Sequence, residues 1–237
     1  MVMAGRLTRL RFAGESEAET RGGVNSLLGA LFGLWAFILA FTFSNSAARF
    51  NEVRNMMVDE ANKMRNAILR SGFFPDSIGN DLRADLRTYL DASIDYYDQV
   101  SDADKFKKAK EDAAETGKTL LKKIMRLSNH PDIKPLAGNM FSSLTDLFDV
   151  HAKRDSLVRA GVPEPIQYLL FFLALTISFI GGFTTPFMKR KEWIVFIGFT
   201  LLAVAVIYVT LDMGRPLRGF IRTDIGQLGM IELRKLF

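Results

Sequence analysis

Three long stretches of this chain contain no charged residue, at positions 24–43, 166–188 and 193–211. Each has about the 20 apolar residues that an α-helix needs to cross a hydrocarbon layer roughly 30 Å thick. Backbone polar groups find no water inside such a layer, so a crossing segment of this length is expected to be helical. The sequence therefore predicts an all-α membrane protein with three transmembrane helices.

Most of the polar sequence lies between the first and second of these stretches. Residues 44–164 combine charged positions with apolar positions at helical spacing, which predicts a helical extramembrane domain. Residues 1–23 form a polar N-terminal segment, and residues 212–237 form a basic C-terminal tail. The chain is thus predicted to place one helical domain between its first and second spans.

Apolar residues recur at steps of three and four beyond the first span, which predicts that this helix continues past Phe50 to about Arg70. Acids dominate the next helical segment and bases the one after it, so we expect these two helices to pair as a hairpin. The segment Ser101-Asp102-Ala103-Asp104 is typical of an N-cap with acids in the first turn, and it is expected to open the second member of that hairpin. The predicted helices of the domain cover 81–100, 101–127 and 139–160, with a loop over 128–138.

The spans lack charged residues, and the chain lacks the common catalytic motifs. No Asp, Glu, Lys, Arg or His lies within the spans, and ionisable groups at such depth mark proton relays and ion-coupled transport sites. A proton-driven transporter or pump is therefore disfavoured. The chain has no cysteine, and it has no glycine-rich phosphate loop or zinc-binding helix motif. We expect neither enzyme activity nor a bound metal or cofactor.

Small residues recur in the spans at steps of three and four, a pattern that lets neighbouring helices approach closely. Packing within one subunit and association of several copies both use such a surface, and both remain open. Three helices enclose no pore, so conduction would require several copies, and we expect a homo-oligomer. The predicted packing residues are Gly29, Gly33, Ala36 and Ala40 in the first span and Ser178 and Gly182 in the second.

Aromatic residues of the first span are predicted to lie opposite these small residues, at Phe32, Trp35, Phe37, Phe41 and Phe43. Contact with lipid or with the protein core is the ordinary role of such rings. The alternative is a hydrophobic constriction that gates a pore by dewetting. For that alternative the predicted pore residues are Phe37, Phe41, Ser44 and Asn45.

The tail carries an arginine-rich motif directly after the third span. Asp212 is expected to pair with Arg215 or Arg218, while Glu60 on the first long helix is the alternative partner of these arginines. Such a cluster suits a clamp onto the helical domain or an anion-binding site. The motif residues are Asp212, Arg215, Pro216, Arg218, Gly219 and Arg222.

Two segments carry a resemblance to a known family. One is Phe-Thr-Phe-Ser-Asn at 41–45, followed by Val-Asp-Glu-Ala-Asn at 58–62, and the other is Asp-Met-Gly-Arg-Pro-Leu-Arg-Gly-Phe-Ile-Arg at 212–222. Together with the order of the spans, they resemble the bestrophin-like family of bacterial membrane proteins over nearly the whole chain. Members of that family usually carry one more span than the three predicted here.

The resemblance implies a function as well as a fold. Bestrophins proper are pentameric ion channels, mostly for anions, and residues 24–43 correspond by position to their pore-lining helix. An oligomeric ion channel of the bacterial inner membrane is therefore implied, with anions favoured over cations. The alternative is a non-conducting membrane anchor whose helical domain binds a protein partner or lipid.

The expected partners follow from these readings and from the distribution of charge. They are the lipid bilayer, further copies of the chain and small inorganic ions. Basic residues cluster near the ends of the spans, where anionic lipid headgroups attract them, and the net charge is only +5. No nucleic-acid partner is expected.

Overall fold

The computed structural model describes residues 17–98, 102–159, 161–184, 190–215, 219–221 and 224–237. Within these residues the chain forms helices and no strand, so the predicted all-α class is confirmed. Three stretches are candidates to cross a membrane by length and composition: Gly22–Ser71, Lys134–Gly182 and Phe196–Met213. The predicted limits of the spans within the bilayer stay predictions.

The helices of the described residues follow one another with short connections. In chain order they are α1 Glu17–Ser71, α2 Asp76–Asp98, α3 Ala103–Leu127, α4 Lys134–Arg159, α5 Glu164–Thr184, α6 Arg190–Met213 and α7 Asp224–Leu233, with a 3₁₀ turn at Arg234–Leu236.

The first helix is continuous over 55 residues and contains the first span and the start of the polar domain. This confirms the predicted continuation past Phe50. No glycine or proline interrupts the sequence between Gly33 and Gly72, so nothing in that stretch removes a helical hydrogen bond or loosens the backbone. The helix ends where Gly72 and then Pro75 are reached, close to the predicted end.

Two predicted helix starts are wrong. α2 begins at Asp76 rather than near residue 81, and α4 begins at Lys134, inside the predicted loop 128–138. Pro75 and Pro135 suggested loop, but proline is tolerated before a helix and in its first turn, where the backbone N–H has no helical partner. The cap of α3 predicted within residues 101–104 is confirmed, and the structure assigns it to Asp102, whose carboxylate accepts from the N–H groups of Asp104 and Lys105.

The chain divides into two compact units. The first, here called the membrane unit, comprises Met1–Ala48 and Val162–Gly214. The second, the helical unit, comprises Arg49–Gly161 and Arg215–Phe237. The helix α1 contributes to both.

The membrane unit has an apolar core where α1, α5 and α6 pack together. Its buried residues are Trp35, Leu39, Leu170, Leu173, Ile177 and Ile207. The indole N–H of Trp35 donates to the backbone carbonyl of Leu170 at 3.2 Å. The hydroxyls of Thr42, Ser178 and Thr210 each donate to the carbonyl four residues earlier. These bonds satisfy polar groups that lipid cannot satisfy.

The helical unit has a larger core built from α1, α2, α3, α4 and α7. Among its buried residues are Met64, Ile68, Leu82, Leu86, Leu120, Ile124, Leu144, Met230 and Leu233. The predicted hairpin of α2 and α3 is confirmed, because Lys123 of α3 lies 2.5 Å from carboxylate oxygens of both Asp81 and Asp85. The opposite charges of the two helices therefore face each other, as the sequence indicated.

Candidate functional site

One face of the apolar part of α1 is packed inside the membrane unit and the other face is open. Trp35, Leu39, Thr42 and Ser46 recur at steps of three and four and are buried. Positions between them project to the other side of the helix, because one residue turns the helix by about 100°. The residues exposed there include Gly33, Leu34, Ala36, Phe37, Ala40, Phe41, Ser44 and Asn45.

The prediction that the aromatic residues share one side, opposite the small residues, is wrong. Trp35 is only 6% exposed, whereas Phe37 is 71% and Phe41 is 59% exposed. Phe32 is half-buried, with its ring 5.9 Å from that of Trp35 and 5.2 Å from that of Phe199. The helical step of 100° separates Trp35 from Phe37, so these rings serve two different surfaces. Phe37 and Phe41 instead lie on the same open face as the small residues.

The small residues of the two spans are placed differently. A Cβ added at Gly29 or Gly33 would meet no atom within 4 Å, so these positions face open space in one copy. Ala36 and Ala40 border an apolar groove of about 430 Å³ between α1 and α6. In α5, by contrast, Gly182 is buried within the membrane unit. Ser178 borders a second apolar groove of about 380 Å³, to which α1, α5 and α6 all contribute.

The helical unit contains a buried ionic cluster that the sequence reading missed. The Glu60 side chain on α1 and the Arg154 side chain on α4 are both 0% exposed, and the guanidinium donates to the carboxylate. His151, one helical turn before Arg154, places Nδ1 2.9 Å from the other Glu60 oxygen. We call these three residues the Glu60 cluster. The predicted contact of Glu60 with the tail arginines stays a prediction.

A second set of polar contacts borders the Glu60 cluster. Asp155 accepts a hydrogen bond from the Tyr96 hydroxyl at 2.7 Å and from Lys110 Nζ at 2.8 Å, and it also accepts from Arg159. The Tyr96 ring lies 5.2 Å from the guanidinium carbon of Arg154. These contacts join α2 and α3 to the same buried region of α4.

The electrostatics of the region favour the ionised forms of its charged groups. Burial alone would raise the pKa of Glu60, but the Arg154 charge and the hydrogen bond from His151 lower it below 4.5. Burial alone would lower the pKa of His151, but its hydrogen bond to Glu60 and the charge of that carboxylate raise it above 6.5. Despite partial burial, hydrogen bonds from Arg159, Lys110 and Tyr96 hold the pKa of Asp155 well below its usual range.

One signal in the sequence could have revealed the Glu60 cluster. Glu60 falls three residues after Met57 and four before Met64, so it occupies a core position in the apolar pattern of α1. A charged residue at such a position requires a buried partner of opposite sign. The sequence does not show which of the many arginines and lysines supplies it.

The tail motif is described only in part. Asp212 is half-buried at the end of α6, Arg215 is exposed and Gly219 is buried. Pro216, Arg218 and Arg222 lie outside the described residues, so their predicted contacts stay predictions. Further along, α7 packs into the helical unit through Met230 and Leu233, and Arg234 Nε donates to Asp91 Oδ1 at 2.8 Å.

Comparison with known proteins identifies a family. A family model described as the Bestrophin-like domain matches residues 2–224 of the chain. No curated protein and no solved structure matches it significantly.

Proposed function

Because the chain belongs to the bestrophin-like family, we propose that it is one subunit of a homo-oligomeric ion channel in a bacterial inner membrane. The three spans of one copy pack around an apolar core and are too few to surround a water-filled path. Several copies must therefore contribute helices to any conducting path. The helix that each copy contributes in this proposal is α1.

The open face of α1 is the observation that carries the proposal. Gly33, Ala36 and Ala40 lie on one flank of this face, and Phe37 and Phe41 lie roughly a quarter turn around the helix. Small residues let an α1 helix of a neighbouring copy approach closely, which turns the adjacent phenylalanines toward the axis of the assembly. A ring of phenylalanines at that axis is a hydrophobic constriction that excludes water until it widens.

The ion proposed is an anion. No acidic residue lies in any of the three spans, so the membrane-spanning part of the path has no carboxylate ring of the kind that attracts cations. Ser44 and Asn45 are exposed directly after the proposed constriction, and their side chains can donate hydrogen bonds to an anion. The basic residues near the ends of the spans raise the local anion concentration at the mouths.

A flux assay in liposomes with purified protein tests the proposal. We expect chloride flux above that of empty liposomes, and we expect Phe41→Ala to increase it several-fold because the substitution widens and wets the constriction. Phe172→Ala is the matched control, since Phe172 on α5 is also an exposed phenylalanine, at 66%. It should leave the flux unchanged.

Two outcomes would redirect the proposal. If flux stays at the level of empty liposomes and Phe41→Ala changes nothing, the non-conducting anchor becomes the better account. Sodium or potassium flux in place of chloride flux would keep the channel and overturn its proposed selectivity.

A further inference from the structure

The Glu60 cluster plays no part in the proposed ion path, yet it places two fully buried charged side chains in the interior of the helical unit. Burying a carboxylate and a guanidinium together usually adds little net stability compared with apolar residues of the same size. The cluster connects α4 to α1, the helix that also forms the first span. A titratable group in this connection would make the connection depend on pH.

His151 is the group of the cluster that can change charge near neutral pH. Arginine stays protonated at any physiological pH, and a glutamate paired with it stays ionised. The carboxylate oxygen 2.9 Å away requires a hydrogen on Nδ1, so Nδ1 donates to Glu60 in both protonation states. The exchanging proton is therefore the one on Nε2. The side chain is 18% exposed, which gives water access to it.

Charged groups from α1, α3 and α4 and titratable tyrosines from α2 surround this histidine. Glu60 on α1 and Asp155 on α4 favour the imidazolium, while Lys110 on α3 opposes it. Arg154 on α4 has a guanidinium nitrogen 3.3 Å from Nδ1, which places a second positive charge beside the ring. From α2, the Tyr96 ring lies 5.6 Å away, and the buried Tyr89 has its pKa raised by burial and by the Glu60 charge.

We propose that the Glu60 cluster is a pH-sensitive clamp, in which protonated His151 helps to hold α4 against α1 and loses this hold when it deprotonates. The bond between His151 and Glu60 is an ion pair at acidic pH and a hydrogen bond from a neutral imidazole at alkaline pH. The clamp does not depend on conduction, so it can be tested whether or not the protein is a channel.

The direction of the effect follows from linkage. A histidine whose pKa in the folded protein lies above 6.5 stabilises the fold fully below that pH, because the folded state binds its proton more tightly. This stabilisation is lost as the pH rises through the folded-state pKa. Alkaline conditions should therefore loosen the contact between α4 and α1.

The first experiment measures the titration of His151 directly. The chain has two histidines, so His130→Gln leaves a single imidazole signal in the NMR spectrum of the detergent-solubilised full chain labelled at histidine. We expect its titration midpoint above 6.5, and we expect Glu60→Gln to shift the midpoint to lower pH. A midpoint at or below 6.5 in the His130→Gln protein would overturn the clamp.

The second experiment measures whether the titration loosens the helix. The native chain has no cysteine, and α4 has adjacent serines, of which Ser143 is 8% exposed and Ser142 is exposed. The rate at which maleimide labels the buried thiol of Ser143→Cys measures opening of the interior. The rate at the exposed thiol of Ser142→Cys serves to correct for the pH dependence of the thiol reaction itself. We expect the ratio of maleimide labelling rates, buried to exposed, to rise several-fold from about pH 6 to about pH 8.

The variant His151→Gln distinguishes the clamp from a merely structural contact. Glutamine can still donate a hydrogen bond to Glu60 but has no charge to lose in this pH range. The labelling ratio should then stay constant from about pH 6 to about pH 8. A ratio that is constant with the native histidine, or that rises equally in His151→Gln, would show that the cluster does not act as a pH-sensitive clamp.

Discussion

Replacing Glu60 by leucine should destabilise the helical unit more than a typical surface substitution. Both side chains of the Glu60–Arg154 pair are 0% exposed, so the substitution leaves a buried guanidinium without this counter-ion. Removing one partner from a buried ion pair costs about 3–5 kcal/mol, because the remaining charge has lost its water without compensation. For a chain of this size each kcal/mol lowers the unfolding midpoint by about 2–4 °C, which predicts a decrease of roughly 6–20 °C.

The assay is thermal unfolding in detergent followed by circular dichroism, with apparent midpoints compared at one scan rate. Glu52→Leu is the matched control, since Glu52 lies on the same helix and is exposed. Its effect should stay within about 0.5 kcal/mol, as for most surface substitutions. The double variant Glu60→Leu with Arg154→Met removes both charges and should recover more than half of the loss. A loss below about 1 kcal/mol for Glu60→Leu, or a double variant no more stable than that single variant, would refute the reasoning.

Two further predictions concern glycines. A Cβ at Gly79 would lie 2.7 Å from the carbonyl oxygen of Ser71, so Gly79→Ala should cost about 1–3 kcal/mol by forcing a backbone shift. Gly138 lies inside α4, and a Cβ there would meet no atom within 4 Å, so Gly138→Ala should raise the free energy of unfolding by about 0.5–1 kcal/mol. Equal changes in the unfolding midpoint for the two variants in a thermal scan would contradict this. Gly33→Leu should lower the oligomer mass seen by native mass spectrometry, whereas Gly198→Leu, also in open space but on α6, should not. An unchanged mass for Gly33→Leu would remove α1 from the interface.

The parts of the fold that the sequence predicted are those that local patterns determine. The absence of charge over about 20 residues predicts a span, because a single charge at that depth is costly. The absence of glycine and proline after Gly33 allowed α1 to be read as one helix. A cap within residues 101–104 could be predicted because the carboxylate that forms it, that of Asp102, accepts from N–H groups only two and three residues away. Pro135 misled the reading, because the same residue fits a loop and a first helical turn.

The Glu60 cluster was not predictable in the same way. His151 and Arg154 are separated from Glu60 by 91 and 94 positions in the chain, and pairing over that distance depends on how four helices pack. The sequence shows Glu60 at a core step of α1 but gives no means of selecting its partner. The wrong prediction that the aromatic residues of α1 share one side has a different cause. Trp35, Phe37 and Phe41 were grouped by residue type, whereas the helical step of about 100° places Trp35 on a different side from the two phenylalanines.

The most direct test of the central claim is whether the open face of α1 lines the ion path. Since the native chain has no cysteine, Ser44→Cys gives a single reactive thiol on this face, and Thr200→Cys gives one at an exposed position of α6. A charged, water-soluble thiol reagent should reduce chloride flux through liposomes that contain Ser44→Cys and leave flux through Thr200→Cys unchanged. Flux that is absent in both, or that is insensitive to modification at Ser44, would contradict the claim that α1 lines a conducting path.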